Sequence, residues 1–199
     1  MARSRESILA ALRRIPTPER PLPELSVATP ALADPLGRFG EMLAAAGGEL
    51  REVASAEAVG GALSGLSAVV GAQRLVSGVA AVASRHPDGA PVVPRDLSDL
   101  DVAVVAGAPA VAENGAVWVV PADILGRAAL FLAEHVVLVV PRTSLVATLH
   151  DAYAVISPSK ATFGCFIAGP SKTADIEQSL VIGAHGPRAL TVLVYGEAP

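Results

Sequence analysis

The residues with the greatest capacity for chemistry gather in one stretch, Phe163-Gly164-Cys165-Phe166-Ile167-Ala168-Gly169-Pro170-Ser171-Lys172-Thr173-Ala174-Asp175-Ile176-Glu177. An apolar run meets a Gly-Pro turn, and hydroxyls and a lysine follow it. If a strand ends here and a helix begins, Gly169, Ser171, Lys172 and Thr173 offer N–H groups, hydroxyls and a cation to a small phosphate or carboxylate. The same residues suit an ordinary helix start, with Ser171 or Thr173 as cap and Asp175 and Glu177 favouring the positive end of the helix. Those two acids oppose a bound anion unless they point away. The spacing of Ile176, Leu180 and Val181 predicts a helix from Thr173 to about Gly183. The run Gly183-Ala184-His185-Gly186-Pro187-Arg188 then reads as its stop. His185 and Arg188 would complement the helix C-terminus, with a catalytic histidine as the alternative.

Two further places carry chemistry. Ala112-Glu113-Asn114-Gly115 lies between apolar strands, and Asn-Gly is a tight-turn signal. Glu113 is either a solvated turn acid or a carboxylate held at a strand end, able to act as a general base. In Val140-Pro141-Arg142-Thr143-Ser144, strand again leads to helix with Thr143 or Ser144 as cap. Arg142 suits a carboxylate ligand by bidentate pairing, or an acidic neighbour. His86, His135 and His150 stand isolated, without metal-ligand spacing, so no metal site is expected. Gly60-Gly61 and Gly65 do not form a dinucleotide loop. No Walker-type Gly-Lys-Ser/Thr and no Gly-x-Ser-x-Gly elbow occurs.

The elements that must position these residues are legible from hydrophobic pattern. Short apolar runs at Asp101 to Val105, Ala116 to Val120, His135 to Val140 and Leu190 to Val194 read as strands buried on both faces. Leu36, Phe39, Met42 and Leu43 recur at helical period between Leu32 and Ala46, with Gly47-Gly48 as the stop. A strand at Leu50 to Val53 and a helix from Ser55 to about Leu66 follow. Helical pieces are expected at Leu125 to Leu132 and within Thr143 to Ile156. This alternation predicts an α/β fold with a mainly parallel sheet and flanking helices. Residues 1–14 carry Ile8, Leu9 and Leu12 among charges and read as a helix. Pro16, Pro18, Pro21 and Pro23 then impose an extended linker. The expected organisation is an N-terminal extension at 1–30 and one domain at 31–199.

Composition limits the function. The 199 residues hold 15 Lys plus Arg against 19 Asp plus Glu, a net charge of -4 with no basic cluster, which excludes a nucleic-acid surface. Hydrophobic residues make up 52% and mean hydropathy is +0.51, so a membrane span is the first alternative. The longest uncharged stretch, Ala58 to Gln73, is rich in Gly, Ser and Ala and is not expected to span. The apolar excess suits a packed sheet, together with a second copy or another partner covering part of the surface. The single cysteine, Cys165, rules out an internal disulfide framework and an iron–sulfur cluster held by this chain alone. The N-terminus lacks the pattern of a secretory signal, so a cytoplasmic location is expected.

The run from Gly169 to Glu177, continued by Leu180-Val181-Ile182-Gly183-Ala184-His185-Gly186-Pro187-Arg188, resembles the C-terminal signature of the LUD-domain family, specifically its lactate utilisation protein C group. Asp101 at a strand start, Ala112-Glu113-Asn114-Gly115 where the family usually reads Ala-Glu-Thr-Gly, and Val140-Pro141-Arg142 extend the resemblance over about the last hundred residues. Asn114 replaces a common threonine, and Lys172 a common arginine. The resemblance implies a NagB/RpiA/CoA-transferase-like fold. It also implies a cytoplasmic accessory subunit in the oxidation of L-lactate to pyruvate, working with two partner proteins that carry the iron–sulfur clusters. On that expectation this chain has no cofactor of its own, and Glu113, Asn114, Arg142, Ser171, Lys172 and Thr173 form a pocket that binds a small carboxylate or helps dock the partners. The alternative is a free-standing enzyme acting on a small anionic metabolite, with Glu113 as base and the Ser171 to Thr173 turn as anion cradle.

Overall fold

In the computed structural model, which describes residues 2–15, 32–87, 89, 91, 93–156, 163–176 and 179–196, the apolar pattern resolves into two sheets and a hairpin. The proline-rich linker and Glu177 lie outside the described residues. In chain order the elements are α1 (Ala2–Arg13), α2 (Pro35–Ala45), β1 (Glu49–Val53), α3 (Val59–Ser64), α4 (Ser67–Gly71), β2 (Leu75–Ser77), β3 (Val102–Ala106), β4 (Ala110–Val111), β5 (Ala116–Val119), α5 (Ile124–Leu132), β6 (His135–Pro141), β7 (Leu145–Val146), α6 (Leu149–Val155), β8 (Cys165–Ile167), β9 (Lys172–Ile176), β10 (Ser179–Ile182) and β11 (Ala189–Tyr195).

Five strands form a parallel sheet in the order β1-β11-β6-β3-β2. From β1 the chain crosses to the far edge at β2 and then returns one strand at a time. Right-handed crossovers running in opposite directions must lie on opposite faces, so the sheet is covered on both sides. The alternation along each strand shows it. Val102 and Val104 of β3, Val137 and Val139 of β6 and Leu193 of β11 pack with Val59, Leu63 and Val69 of α3 and α4. Their neighbours Ala103, Val136, Leu138, Val140 and Val192 pack on the other face with Leu36, Phe39 and Leu43 of α2 and Leu130 of α5. Near-continuous Val, Leu and Ala is what such doubly covered strands require.

The helices start where short polar side chains satisfy free N–H groups. Asp34 accepts from the Gly37 N–H at 2.9 Å ahead of Pro35, and Asp123 accepts from the Gly126 N–H at 2.7 Å. Thr148 and Asp151 form a reciprocal capping box for α6. The cap of that helix is therefore Thr148 and not Thr143 or Ser144, which lie in a single 3-10 turn, Arg142–Ser144.

Ala116 to Val120 is a strand, but it belongs to a separate four-stranded sheet of order β7-β4-β5-β8, where β5 runs antiparallel to β4 and β8. The stretch from Thr173 to Gly183 is not a helix: β9 and β10 pair antiparallel, with Thr173 opposite Val181 and Lys172 opposite Ile182. Thr173, Ile176, Val181 and Ile182 are β-branched, which disfavours a helix and favours a pleated strand; the period-four apolar spacing was outweighed. Gly183 (φ +74) closes the hairpin, and its N–H donates to the Ser171 carbonyl at 3.0 Å. Ser171, Thr173, His185 and Arg188 therefore have no helix end to cap. Along α1, Ile8 and Leu12 are 58% and 57% exposed. No helix among the described residues is long and apolar enough to cross a membrane.

Candidate functional site

In an open parallel sheet, ligands collect beyond the carboxyl ends of the strands, where the connections splay apart. In this sheet that edge holds an open cleft of about 640 Å³. Residues at or just past the ends of all five strands line it: Ala56 after β1, Val79 to Ala81 after β2, Ala106 to Ala108 at β3, Pro141 at β6 and Tyr195 at β11. Backbone hydrogen bonds fix these ends. The Gly107 N–H donates to the Val139 carbonyl at 3.0 Å, the Gly78 N–H to Val104 at 2.8 Å, and the Gly196 N–H to Val53 at 3.1 Å. Trp118 of β5 forms a further wall. Its ring is braced by Phe166 of β8, with centroids 4.9 Å apart, and Phe166 in turn meets Tyr153 of α6 edge-on at 5.8 Å.

The lining is small or apolar, with the Tyr195 hydroxyl and the Trp118 indole N–H belonging to its only residues with polar side-chain atoms. Two charged residues directly follow lining residues in sequence. Arg142 follows Pro141 directly, and its guanidinium meets Glu52 of β1 at 3.2 Å with the arginine side chain 23% exposed. Glu57 follows Ala56, and a hydrogen bond with Ser55 holds its carboxyl below the usual range. The cleft can thus take up an uncharged body, with a cation and an anion each one residue in sequence from its lining.

The residues singled out from sequence do not converge there. Arg142 alone adjoins the cleft. Glu113 is exposed, and its Oε2 accepts the Leu149 N–H at 2.8 Å, at the start of α6. Asn114 Oδ1 accepts the Ala116 N–H at 3.0 Å within the β4–β5 turn. Gly169 and Ser171 line a different cavity, of about 280 Å³, with Phe131, Phe166, His185 and Pro187. Lys172 is exposed on the hairpin, and Thr173 pairs within it.

Two glycines of these motifs have a structural task. Gly115 (φ +69) and Gly169 (φ +70) both adopt the left-handed conformation. A Cβ on Gly115 would stand 2.5 Å from the Leu43 nitrogen, and one on Gly169 would overlap the Ala46 carbonyl. Both turns are thus pressed onto the C-terminal half of α2.

The cleft residues that sequence reasoning missed, Val79 to Ala81, Ala106 to Ala108, Trp118 and Tyr195, carry little chemistry of their own. Their signal was position, since Ala106-Gly107-Ala108 directly follows a strand read as parallel. At the opposite edge, His135 lies 2.9 Å from the buried Thr191 hydroxyl. Burial pushes its imidazole down, and the nearby Glu49 carboxylate partly offsets this. Among the described residues, no three His, Cys, Asp or Glu side chains are grouped to hold a metal ion.

Known proteins share this architecture. A DUF162 family protein from Deinococcus radiodurans superposes with a TM-score of 0.59 over 81% of this chain and 96% of its own, at 22% identity. Lactate utilization protein C of Geobacillus kaustophilus is 37% identical over 89 residues, covering 42% of this chain and 37% of that protein. The Shouchella clausii protein of the same name is 35% identical over 105 residues, covering 49% and 44% respectively, and that of Bacillus subtilis is 36% identical over 90 residues, covering 42% and 38%. The chain therefore aligns with less than half the length of these relatives. The LUD domain model matches residues 92–195, a span that contains β3, β5, β6 and β11 and with them most of the cleft wall, and the chain belongs to the LUD domain family.

Proposed function

We propose that this chain serves lactate utilisation as a ligand-binding subunit, working with partner proteins that carry the iron–sulfur clusters, and that the cleft at the carboxyl ends of the parallel strands is its ligand site. One observation carries the reading: the segment matched by the family, residues 92–195, supplies Ala106 to Ala108, Trp118, Val120, Pro141 and Tyr195 to the cleft. Arg142 is the rim group for a ligand carboxylate, exchanging its exposed partner Glu52 for the ligand in a bidentate pair. The division of labour with redox partners agrees with the cysteine content. Cys165 is the only thiol in the chain, and burial pushes it up, away from the thiolate form that metal ligation needs.

Glu113 as general base is the weaker alternative, because its carboxylate is engaged by the Leu149 N–H. In a host lacking the gene for this chain, growth on L-lactate should fail. It should return with the wild-type gene and with Glu113→Gln, and return poorly with Arg142→Ala. Unimpaired growth of the deletion strain on L-lactate would overturn the proposal. Full rescue by Arg142→Ala would remove Arg142 from it.

A further inference from the structure

The cleft does not end at Trp118. On the other side of that side chain lies a second cavity of about 430 Å³, and the two share Ala108, Trp118 and Val120 as a common wall. The second cavity continues the same chemistry, with Pro109, Val146, Val155 and Ile156, and beyond the shared Trp118 adds only the hydroxyl-bearing residues Thr143 and Ser144 as polar members. The Ser144 hydroxyl is already used, donating to the Pro141 carbonyl at 2.8 Å.

Neither cavity is lined by a side chain that is charged at neutral pH. A free three-carbon acid would fill only a small part of the cleft and would leave its carboxylate without a counter-charge unless it stayed at the rim. Apolar walls are instead wetted at a free-energy cost that a hydrocarbon body removes.

We infer that the two cavities form one bipartite site for an elongated, mainly hydrocarbon ligand whose anionic or polar head lies at the Arg142 rim and whose body passes Trp118 into the second cavity. The inference rests on the reading of the cleft as the ligand site and adds to it the class of ligand. Trp118, held between the two cavities and braced by Phe166, sets where the body bends or narrows. Arg142, next in sequence to the lining residue Pro141 and paired with Glu52, gives the head a direction.

Trp118 is the only tryptophan in the chain, so its emission reports occupancy without a label. The full chain is titrated with butyrate, hexanoate, octanoate and decanoate below their micelle concentrations, and with lactate. Affinity should rise about two- to fourfold with each added methylene, the size expected when a methylene is buried from water. Ala80→Phe, at an exposed position lining the first cavity, should abolish the emission change for every probe. Val155→Asp, at a position 65% exposed on the second cavity, should spare butyrate and weaken decanoate at least tenfold. Affinity that is flat with chain length, or decanoate binding that Val155→Asp leaves unchanged, overturns the bipartite site. Lactate binding that Ala80→Phe abolishes would then still uphold the cleft itself. Probe binding that survives Ala80→Phe overturns the cleft as the ligand site as well.

Discussion

The glycine turns beneath α2 lie within the family segment, which also supplies most of the cleft wall at the strand ends, and the two are built on opposite terms. At the turns, backbone meets backbone: Gly115 faces the peptide of Leu43, and Gly169 faces the carbonyl of Ala46. Nothing larger than hydrogen fits, and the chain is held in a left-handed conformation that other residues adopt at a cost of about 1–2 kcal/mol. At the cleft, small side chains stand apart and leave about 640 Å³ open. Several of them, Ala80, Ala81, Ala106 and Ala108, are exposed. The difference separates two reasons for a sequence to be restricted. A motif with polar and glycine residues can exist to close a fold, while a wall of alanines can exist to leave space.

The largest loss of stability is expected at the turns. Gly169→Ala and Gly115→Ala should each lower unfolding free energy by about 3 kcal/mol or more, since left-handed strain adds to an overlap with helix backbone that cannot move aside easily. Urea denaturation followed by far-UV circular dichroism measures this. A loss under about 1 kcal/mol at both positions would show that α2 can retreat and that the turns are not tight. It would also reopen a ligand-contact role for the signature.

Glu113 tests the same region at lower stakes. Its carboxylate accepts the Leu149 N–H across 36 residues of sequence and so ties the β4–β5 turn to the start of α6. Glu113→Ala should destabilise by about 0.5–1 kcal/mol, the ordinary loss of an exposed cap. Glu113→Gln, which keeps an acceptor oxygen, should recover most of that in the same denaturation assay. If the Gln variant is as stable as wild type but fails to support growth on L-lactate, the carboxylate has a chemical role beyond the cap.

These contrasts also explain what the sequence could tell. The parallel sheet was legible because strands buried on both faces must be continuous in Val, Leu and Ala, as His135 to Val140 and Leu190 to Val194 are. The helices at Pro35–Ala45 and Ile124–Leu132 were legible from their apolar period, whereas their caps, Asp34 and Asp123, emerge only from the structure. The hairpin of Lys172 to Ile182 was misread because Ile176 and Leu180 satisfy a helical period by coincidence, while the deciding preference, four β-branched residues, is weak per residue and is realised only by cross-strand pairing. The site was obscured for a different reason. Attention to hydroxyls, cations and carboxylates leads to the turns, whereas a cleft lined by alanine, valine and proline is made by topology, and topology is visible only once β1 and β2 are known to be the two edges.

The smallest effect on stability belongs to the cleft, and it is the sharpest contrast with the turns. Ala80 is exposed, lies in the bend after β2, and touches the open volume. Replacing it by phenylalanine adds a ring where solvent now stands, so no core contact is lost and no backbone is displaced. Unfolding free energy should change by less than about 0.5 kcal/mol, in either direction, in the assay that shows several kcal/mol for Gly169→Ala. A large loss would mean that the loop from Val79 to Ala81 packs inward more tightly than its exposure indicates, and the space beside it would then be part of the core. Near-neutral stability would establish that the volume is spare as far as folding is concerned. Space that folding does not need, bounded by the ends of five strands and supplied largely by the family segment, is what the proposed ligand site requires.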